Sequence, residues 1–355
     1  MLTFLNRFMP TLVSIILPCR NEEKYIETCI QSLINNQSED FSVEIIVVDG
    51  MSTDNTIEIV SGYISQFPFI KLVQNPKKTA PFSMNLGISI ASGDFIIILG
   101  SHAFYPVNYV STLINHINSL DADVVGFPCR TEVLTKNKKT LAIKEVLSNR
   151  FGVGNALFRI GIEEITQVDT VPYGCYKKEV FTQYGLYDTR LTRNQDIELN
   201  KRIIKGGGKI YLLPNLESVY YARETFSAIA KNNYNNGLWN ILTVKYTKKF
   251  SSLSLRHFIP LCFILSLLLP MCFCFLLKPL IFIAGASLLL YLSFLTAVCA
   301  RLAVKKNLRF LYLFWGFITL HFSYGIGSLV GIFKFTKHRH CGLDPQSPAE
   351  RRNAV

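Results

Sequence analysis

Apolar and polar positions alternate along residues 1–250 in a pattern typical of strands followed by helices. Short apolar runs bounded by polar residues, glycine or proline predict strands at 13–18, 43–49, 70–74, 94–99 and 122–128. Helical spacing predicts helices at 22–36, 54–66, 80–91 and 106–119, with Asn21 and Thr53 as N-caps and Pro106 in a first turn. A helix at 194–205 stops at three glycines and precedes a strand at 209–213. This alternation predicts an α/β fold with a mainly parallel sheet flanked by helices.

The pattern changes after residue 250 to three long apolar runs. They cover residues 258–277, 279–300 and 310–333, and each is long enough to span a bilayer. We therefore expect a soluble domain over 1–250, a membrane region over 251–335 and a polar, disordered tail over 336–355. Residues 225–250 fit either an amphipathic helix at the membrane interface or a packed core helix.

The third apolar run raises a question of topology. Its glycines, Gly325, Gly327 and Gly331, have a spacing that predicts close packing between helices. If the soluble domain and the basic residues at 301–309 are both cytoplasmic, a third span places the basic residues at 334–339 outside, against the usual bias. The run is therefore re-entrant or strongly tilted, or the bias fails here.

Charge is distributed unevenly along the chain, whose formal net charge is +12. Residues 251–355 hold 11 Lys/Arg and 2 Asp/Glu, whereas the first 250 residues hold 26 and 23. Because the basic excess flanks apolar runs, it indicates contact with membrane lipid and argues against nucleic-acid binding. The nine cysteines have no regular spacing, which favours reduced and mostly buried thiols.

Polar residues that could do chemistry follow two of the predicted strands. Asp49 ends the run 43–49 and is followed by a turn of Gly, Ser, Thr and Asp. Pro18, Arg20 and Glu22 follow the run 13–18. Open α/β sheets bind ligands at the carboxyl ends of their strands, so these residues predict a nucleotide site.

Several ordered motifs then identify a family resemblance. They are PCRNE (18–22), VDGMSTD (48–54), NLG (85–87), SGD (92–94), VDTVPYG (168–174), RNQD (193–196) and GLW (237–239). With these motifs the chain resembles family 2 glycosyltransferases with the GT-A fold, especially the membrane-anchored type of succinoglycan biosynthesis, from about residue 12 to 333. GT-A enzymes have a mixed, mainly parallel sheet.

The resemblance implies a hexosyltransferase-like enzyme of the bacterial inner membrane. It implies inverting transfer of one sugar from a nucleotide-sugar donor, a UDP-sugar first of all, to a lipid-linked glycan in surface polysaccharide biosynthesis. The multi-pass chain would keep its catalytic domain on the cytoplasmic side. Neither the donor sugar, the linkage nor the oligomeric state follows from the sequence.

The resemblance also assigns roles to individual residues. Asp196 matches the general base that takes the acceptor proton, and Gln195 would orient it or hold the acceptor. The expected donor-binding residues are Pro18, Arg20, Glu22, Asp49, Gly50, Lys78, Ser101, Tyr173 and Gly174. Simpler interpretations stay open for several of them. Asp196 and Glu22 could be acids at the start of a helix, and Asp49 could be an acid that caps a helix or stabilises a turn. Lys78 could lie in a solvated turn, and Tyr173 and Gly174 could form an ordinary turn.

One position departs from the family pattern. Close relatives read Asp-Ala-His where this chain reads Gly100-Ser-His102, so the first metal-ligating carboxylate is replaced by glycine. The resemblance implies a divalent cation, Mn²⁺ or Mg²⁺, with His102 as the remaining ligand, and a lone imidazole suits Mn²⁺ better than Mg²⁺. Gly100 weakens this expectation and supports an alternative, a catalytically weak or inactive nucleotide-sugar-binding relative that acts as an assembly subunit.

Overall fold

The computed structural model describes residues 11–38 and 40–340, which form two compact units. The first unit ends at Glu224 and the second begins at Thr225. The sequence placed the boundary near residue 250. The difference arises because the helix that follows Thr225 packs against another helix of the second unit.

The first unit alternates short strands and helices. Its strands are β1 (Thr11–Cys19), β2 (Phe41–Asp49), β3 (Ile70–Gln74), β4 (Phe95–Ile98), β5 (Ala103–Phe104), β6 (Val124–Gly126), β7 (Cys129–Glu132), β8 (Thr166–Gln167), β9 (Cys175–Lys177), β10 (Ile210–Leu212) and β11 (Ser218–Tyr221). Its helices are α1 (Ile26–Ile34), α2 (Thr56–Ile64), α3 (Ala80–Ile90), α4 (Tyr109–Ser119), α5 (Lys138–Ser148), α6 (Arg150–Val153), α7 (Leu157–Ile160), α8 (Glu179–Tyr184) and α9 (Gln195–Lys205).

A mixed sheet of eight strands forms the centre of this unit, in the order β3-β2-β1-β4-β9-β6-β10-β8. Only β9 and β8 run antiparallel to their neighbours. This confirms the predicted α/β fold with a mainly parallel sheet. β1 pairs in parallel with both β2 and β4, so the order of the strands in the sheet reverses at β1. The carboxyl end of β1 therefore borders a crevice of the kind in which open α/β sheets bind ligands.

Both faces of the sheet are buried, which explains the mostly apolar sequences of β1 and β2. Successive side chains of a strand point to opposite faces. Ile15 and Ile45 accordingly join one apolar core, while Ile16 and Ile46 join the other. Helix α9 packs into the second core through Leu199 and Ile203.

Three helices begin later than the sequence predicted. The first starts at Ile26 and the second at Thr56, and neither Asn21 nor Thr53 is a cap. The reason is that the loops before these helices bond to each other, so the Asn21 side chain accepts the Thr53 N–H at 2.8 Å. Pro106 likewise lies ahead of α4, which begins at Tyr109.

A small second sheet, in the order β5-β11-β7, was not predicted. Its strands have two to four residues, too short for a periodicity to be visible. It matters for function because β5 follows the carboxyl end of β4 almost at once and is paired by β11, with Tyr220 opposite Ala103.

The second unit is helical. Its helices are α10 (Phe226–Thr247), α11 (Ile259–Phe273), α12 (Leu280–Lys306) and α13 (Phe310–His340), with 3₁₀ turns at Phe250–Ser252 and Leu255–Phe258. The stretches long and apolar enough to cross a membrane are Leu255–Phe273, Leu280–Lys306 and Phe310–Lys334. Residues 274–277, predicted to extend the first run, lie beyond the end of α11.

The third run is one unbroken helix, so the re-entrant alternative is wrong. Helix α13 also continues to His340, past the predicted start of a disordered tail at 336, and residues 341–355 lie outside the described residues.

Small residues bring α10 and α13 into close contact. A Cβ added at Gly237 would collide with the Tyr324 carbonyl oxygen, and one at Gly327 would collide with that of Tyr234. The Ser328 hydroxyl donates to the Gly237 carbonyl at 3.1 Å. The packing predicted for the glycines of α13 is therefore confirmed: Gly327 and Gly331 pack against α10, and Gly325 packs against α11.

Candidate active site

The carboxyl ends of β1 and β2 form the first part of the candidate site. Their register puts Cys19 opposite Asp49, which is fully buried. The Asp49 carboxylate accepts the Ser52 N–H at 2.9 Å and is also bonded by the Ser52 hydroxyl. Burial, together with the charge of Asp49, raises the pKa of the Cys19 thiol. Asp49 thus makes the hydrogen bonds expected of an acid that stabilises a turn, which was the simpler interpretation of this residue. Its contact with a nucleoside stays a prediction.

Arg20 and Gly50 lie side by side at this edge. The Gly50 N–H donates to the Cys19 carbonyl at 2.8 Å. A Cβ on Gly50 would meet the Arg20 Cβ at 3.3 Å, so the glycine lets the Arg20 side chain pass close to the backbone. Arg20 itself is exposed, and Pro18 is partly buried at the end of β1.

Two loops are bonded together beyond this edge. The Asn21 N–H donates to the Ser52 hydroxyl at 2.9 Å, and the Glu22 N–H donates to the Thr56 hydroxyl at 2.8 Å. These bonds fix the backbone of Glu22 before α1 begins. Glu22 is therefore not the first-turn helix acid that the pattern left open.

Glu22 and His102 form the clearest pair of predicted site residues. His102 Nδ1 lies 3.3 Å from Glu22 Oε1, with the two side chains 37% and 20% exposed. The His102 ring also lies edge-on to Tyr220 of β11, with centroids 5.3 Å apart. The carboxyl ends of β1 and β4 thus share an accessible imidazole–carboxylate pair.

Gly100 packs against an aromatic ring. A Cβ at Gly100 would lie 2.7 Å from Tyr173 Cε1 and 2.9 Å from the Tyr173 hydroxyl oxygen. The Gly100 N–H donates to the Tyr105 hydroxyl at 2.8 Å, and that hydroxyl donates back to the Gly100 carbonyl at 3.0 Å. The space that an aspartate side chain would need is therefore filled by Tyr173.

These contacts decide whether the residues present suit a divalent cation. Gly100 offers no carboxylate, Ser101 is buried at 3% exposure, and His102 has only Glu22 beside it. Among the side chains that the structure describes, those of residues 11–38 and 40–334, there is no group of three or more His, Cys, Asp or Glu placed to hold a metal ion. The residues therefore do not fit the cation that the family pattern implies.

Gly174 serves the core of the first unit. Its carbonyl accepts the Ile98 N–H at 3.1 Å, which joins β9 to the end of β4. A Cβ there would meet Tyr176 at 3.0 Å and Val124 at 3.1 Å. These contacts explain the glycine by packing, and Tyr173, at φ 50°, turns the chain into β9.

The first turn of α9 carries the predicted base. Asp196 is partly buried, and its carboxylate accepts the Ile197 N–H at 2.9 Å. Burial raises the pKa of the Asp196 carboxyl above its ordinary value of 3.8. The Gln195 Oε1 atom is buried and has no hydrogen-bond partner among the described residues. A carboxylate that binds a proton readily and an unsatisfied acceptor thus lie next to each other.

Asn85, from the NLG motif, and Glu198 hold α9 in place. Asn85 donates to the Tyr187 carbonyl at 2.9 Å and accepts the Tyr187 N–H at 3.0 Å, which anchors the loop that leads to α9. Glu198 is almost buried and pairs with Arg202 at 2.8 Å. Glu198 is therefore structural, although it lies only two residues after Asp196.

Lys78 stands apart from these groups. It lies in the loop after β3, at φ 63°, with an exposed side chain. Its N–H donates to the Asn75 carbonyl at 3.1 Å, and the Asn75 N–H donates in turn to the Asp49 carbonyl at 2.7 Å. Backbone hydrogen bonds thus link Lys78 to the end of β2. Its exposed side chain agrees with the simpler interpretation of a solvated turn.

The sequence missed a group of arginines near His102. The Arg159 guanidinium lies over the Tyr220 ring, 4.5 Å from its centroid. Arg193 interacts electrostatically with Tyr220 and with Arg223. These residues lie more than 50 residues from His102 in sequence, and although Arg193 begins the RNQD motif, no local signal joins it to Arg159, Arg223 or His102.

Comparison with known proteins agrees with this geometry. A family model described as glycosyl transferase family 2 matches residues 14–184. A dolichyl N-acetyl-alpha-D-glucosaminyl phosphate 3-beta-D-2,3-diacetamido-2,3-dideoxy-beta-D-glucuronosyltransferase of Methanococcus voltae is 30% identical over 63% of this chain and 71% of its own length. The succinoglycan biosynthesis protein ExoA of Rhizobium meliloti is 27% identical over 59% of this chain and 63% of its own length.

The fold has a match among solved structures. A mannosyltransferase of Pyrobaculum calidifontis, solved with GDP-Man and Mn²⁺, superimposes with a TM-score of 0.56 at 17% identity. The match covers 91% of this chain and 87% of that one. At this identity the likeness shows a shared GT-A-like fold.

Proposed function

The chain belongs to glycosyl transferase family 2, and from this premise we propose that it moves one sugar from a nucleotide-sugar donor to a lipid-linked glycan. The donor proposed first is a UDP-sugar. The transfer inverts the anomeric carbon and serves surface polysaccharide biosynthesis, a role that the resemblance to a succinoglycan biosynthesis protein supports.

Asp196 is the observation that carries this proposal. It lies in the first turn of α9, and the chain after α9 continues into β10, which is parallel to β6. We expect this arrangement to bring the Asp196 carboxylate to the edge where the parallel strands end. In the proposed reaction the acceptor hydroxyl oxygen attacks the anomeric carbon as the bond to the donor phosphate breaks. Asp196 takes the hydroxyl proton, and the nucleoside diphosphate leaves.

The environment of Asp196 suits a base. Burial raises its pKa, so its ionised form binds a proton more strongly than an exposed aspartate does. The buried Gln195 Oε1 would accept a hydrogen bond from a sugar hydroxyl, which relieves an unsatisfied acceptor. This would orient the acceptor beside Asp196.

The donor would lie along the edge from β2 to β4. Its nucleoside would bind near Asp49, Gly50 and Arg20, and its sugar near Asp196. Because the residues at Gly100 do not fit a divalent cation, no step of the proposed mechanism passes through one.

The second unit supports a membrane-bound acceptor. Three helices of sufficient length and apolarity follow the catalytic unit, and basic residues lie at 301–309 after the second. We propose a multi-pass protein of the bacterial inner membrane with its catalytic unit on the cytoplasmic side, where a soluble nucleotide sugar meets a lipid-linked acceptor. The name of the Methanococcus voltae relative, which specifies a dolichyl N-acetyl-alpha-D-glucosaminyl phosphate acceptor, supports this proposal.

The test is sugar transfer in isolated membranes supplied with bacterial lipid extract and a panel of labelled nucleotide sugars. The comparison is wild type with Asp196→Asn and with Asp121→Asn. Asp121 is an 81% exposed control that pairs with Lys177 ahead of β6, at the opposite edge of the sheet.

Label entering lipid with wild type and Asp121→Asn, and falling at least 100-fold with Asp196→Asn, supports the proposal; the size follows from about 10²–10⁴-fold for general-base catalysis. If no donor is turned over while a nucleotide sugar still binds, the non-catalytic assembly role takes its place. Equal transfer by Asp196→Asn and wild type would exclude Asp196 as the base.

A further inference from the structure

The diphosphate that leaves in the proposed reaction must be stabilised by positive charge. Because Gly100 replaces the carboxylate that would bind a metal ion, this positive charge must come from other residues of the chain. A nucleoside diphosphate leaves as an anion, so the site must stabilise the charge that develops on it. If the nucleoside lies near Asp49 and the sugar near Asp196, the diphosphate lies between them. That place is the carboxyl end of β4, beside His102.

Tyr220 organises the groups around that place. Its strand pairs with β5, which sets Tyr220 opposite Ala103 and next to the His102 ring, 5.3 Å between centroids. Arg159 lies over the Tyr220 ring at 4.5 Å and donates from Nη1 to the Thr131 hydroxyl at 3.2 Å. A hydroxyl and an aromatic face hold Arg159 without neutralising its charge.

Arg193 and Arg223 add two more cations. Arg193 is partly buried three residues before Asp196, and it interacts electrostatically with both Arg223 and Tyr220. Burial and the neighbouring Arg223 lower the pKa of the Arg193 guanidinium. A phosphate anion that binds near these guanidinium groups would be attracted by both of them.

Arginine suits this task chemically. Its guanidinium presents several N–H donors in one plane and forms paired, charge-assisted bonds with phosphate oxygens. The three arginines come from α7, from the loop before α9 and from the residues after β11. Arg159 and Arg193 both interact with Tyr220, whose ring lies beside His102, and Arg223 interacts with Arg193.

We propose that Arg159, Arg193 and Arg223 bind the diphosphate of the donor and supply the charge compensation for which Gly100 and His102 offer no adequate metal site. This inference rests on the proposed function only in taking the ligand to be a nucleoside diphosphate. It assigns to this chain a phosphate site made of arginines, with Tyr220 as its aromatic support.

The test is binding to the full-length protein in detergent, measured by titration calorimetry with UDP, with GDP in parallel and with the matching nucleoside as reference. Each titration is run in EDTA and in Mn²⁺. The variants are Arg193→Gln, Arg193→Lys and Arg159→Gln. The matched control is Arg190→Gln, three residues away, where Arg190 pairs with Asp188 at 2.7 Å.

We expect one of the two diphosphates to bind in EDTA at least tenfold more tightly than its nucleoside. Arg193→Gln and Arg159→Gln should each weaken diphosphate binding by about 10-fold or more, since a hydrogen bond to a charged group contributes about 1.5–3 kcal/mol. Nucleoside binding should not change. Arg193→Lys should retain part of the affinity, and Arg190→Gln should match wild type.

The opposite pattern overturns the inference. If diphosphate binding disappears in EDTA, returns with Mn²⁺ and is unaffected by Arg193→Gln, then the Glu22–His102 pair holds a cation and the arginines do not replace it. Failure of both diphosphates to bind, or binding no tighter than the nucleoside, also excludes it. Arginine-dependent binding without any sugar transfer would instead leave this inference standing and remove the proposed catalytic function.

Discussion

Gly100→Asp is the substitution that restores the family's carboxylate, and the structure predicts that it damages the protein. A Cβ at this position already lies 2.7 Å from Tyr173 Cε1, well inside the 3.4 Å at which ordinary contact begins. The carboxylate would extend further toward the ring. Tyr173 is held by packing against Tyr105, with ring centroids 5.6 Å apart, so it has little room to yield.

The expected cost follows from overpacking a filled space. Such substitutions destabilise proteins by about 1–3 kcal/mol. For a unit of roughly 200 residues, each kcal/mol lowers the melting temperature by about 2–4 °C, so we expect a fall of about 2–12 °C. Displacement of the Gly100 backbone would also strain its two bonds to the Tyr105 hydroxyl.

The assay is scanning calorimetry of the full-length protein in detergent, together with sugar transfer with and without Mn²⁺. Gly62→Asp is the matched control, because a Cβ at Gly62 meets nothing within 4 Å. Gly100→Ala should show part of the loss, since the Cβ alone is already too close. Combining Gly100→Asp with Tyr173→Ala should cost less than the sum of the single changes, because the second change removes the obstructing ring.

The reasoning would be refuted by one clear result. If Gly100→Asp melts like wild type and gains Mn²⁺-dependent transfer, then Tyr173 does not fill the ligand position. The protein would then be a family member that lacks only its carboxylate.

Three further predictions concern the stability of the two units. Asp196→Asn should be more stable than wild type at pH 7. Because the fold raises the pKa of the Asp196 carboxyl, wild type loses stability as the pH rises through that pKa. The variant has no carboxyl group at this position and does not lose this stability. The difference should vanish below about pH 4, the unfolded aspartate value, and a difference that persists there would contradict this origin. Glu198→Gln should destabilise the first unit by about 1–3 kcal/mol in thermal unfolding, because it leaves Arg202 without its carboxylate partner, and a change within 0.3 kcal/mol would show that the pair is not structural. Gly327→Leu should loosen α13 from α10 and raise protease sensitivity in detergent, whereas Gly285→Leu, with nothing within 4 Å of its Cβ, should not; equal behaviour of the two would disprove the close packing.

The helix starts show how tertiary contacts override a local signal. Asn21 and Thr53 have the right chemistry for N-caps, and nothing in their own segments argues against that role. In the fold, the Asn21 side chain bonds across to the Thr53 N–H, so the loops brace each other and the helices begin later. A contact between residues 32 positions apart leaves no trace in either local pattern.

Features that depend on local periodicity and on the order of the elements could be predicted from the residues alone. Apolar runs predicted the strands β1 to β4 and put Asp49 at the end of its run, whereas Asp196, in the first turn of a helix, was identified through the family resemblance. The three apolar runs after residue 250 likewise predicted α11, α12 and α13 of the second unit, since the length and apolarity of these runs depend on no distant contact.

Only the tertiary structure decided what fills the space around those residues. That Tyr173 occupies the position of the missing carboxylate, that Glu22 meets His102 and that arginines from three segments gather near Tyr220 are contacts between residues far apart in the chain. Side-chain packing at short range sets such contacts, and it depends on how the sheet and its loops are assembled in three dimensions. The position of the candidate site could therefore be predicted from the sequence pattern, whereas the arrangement of charged side chains around it depends on the tertiary structure.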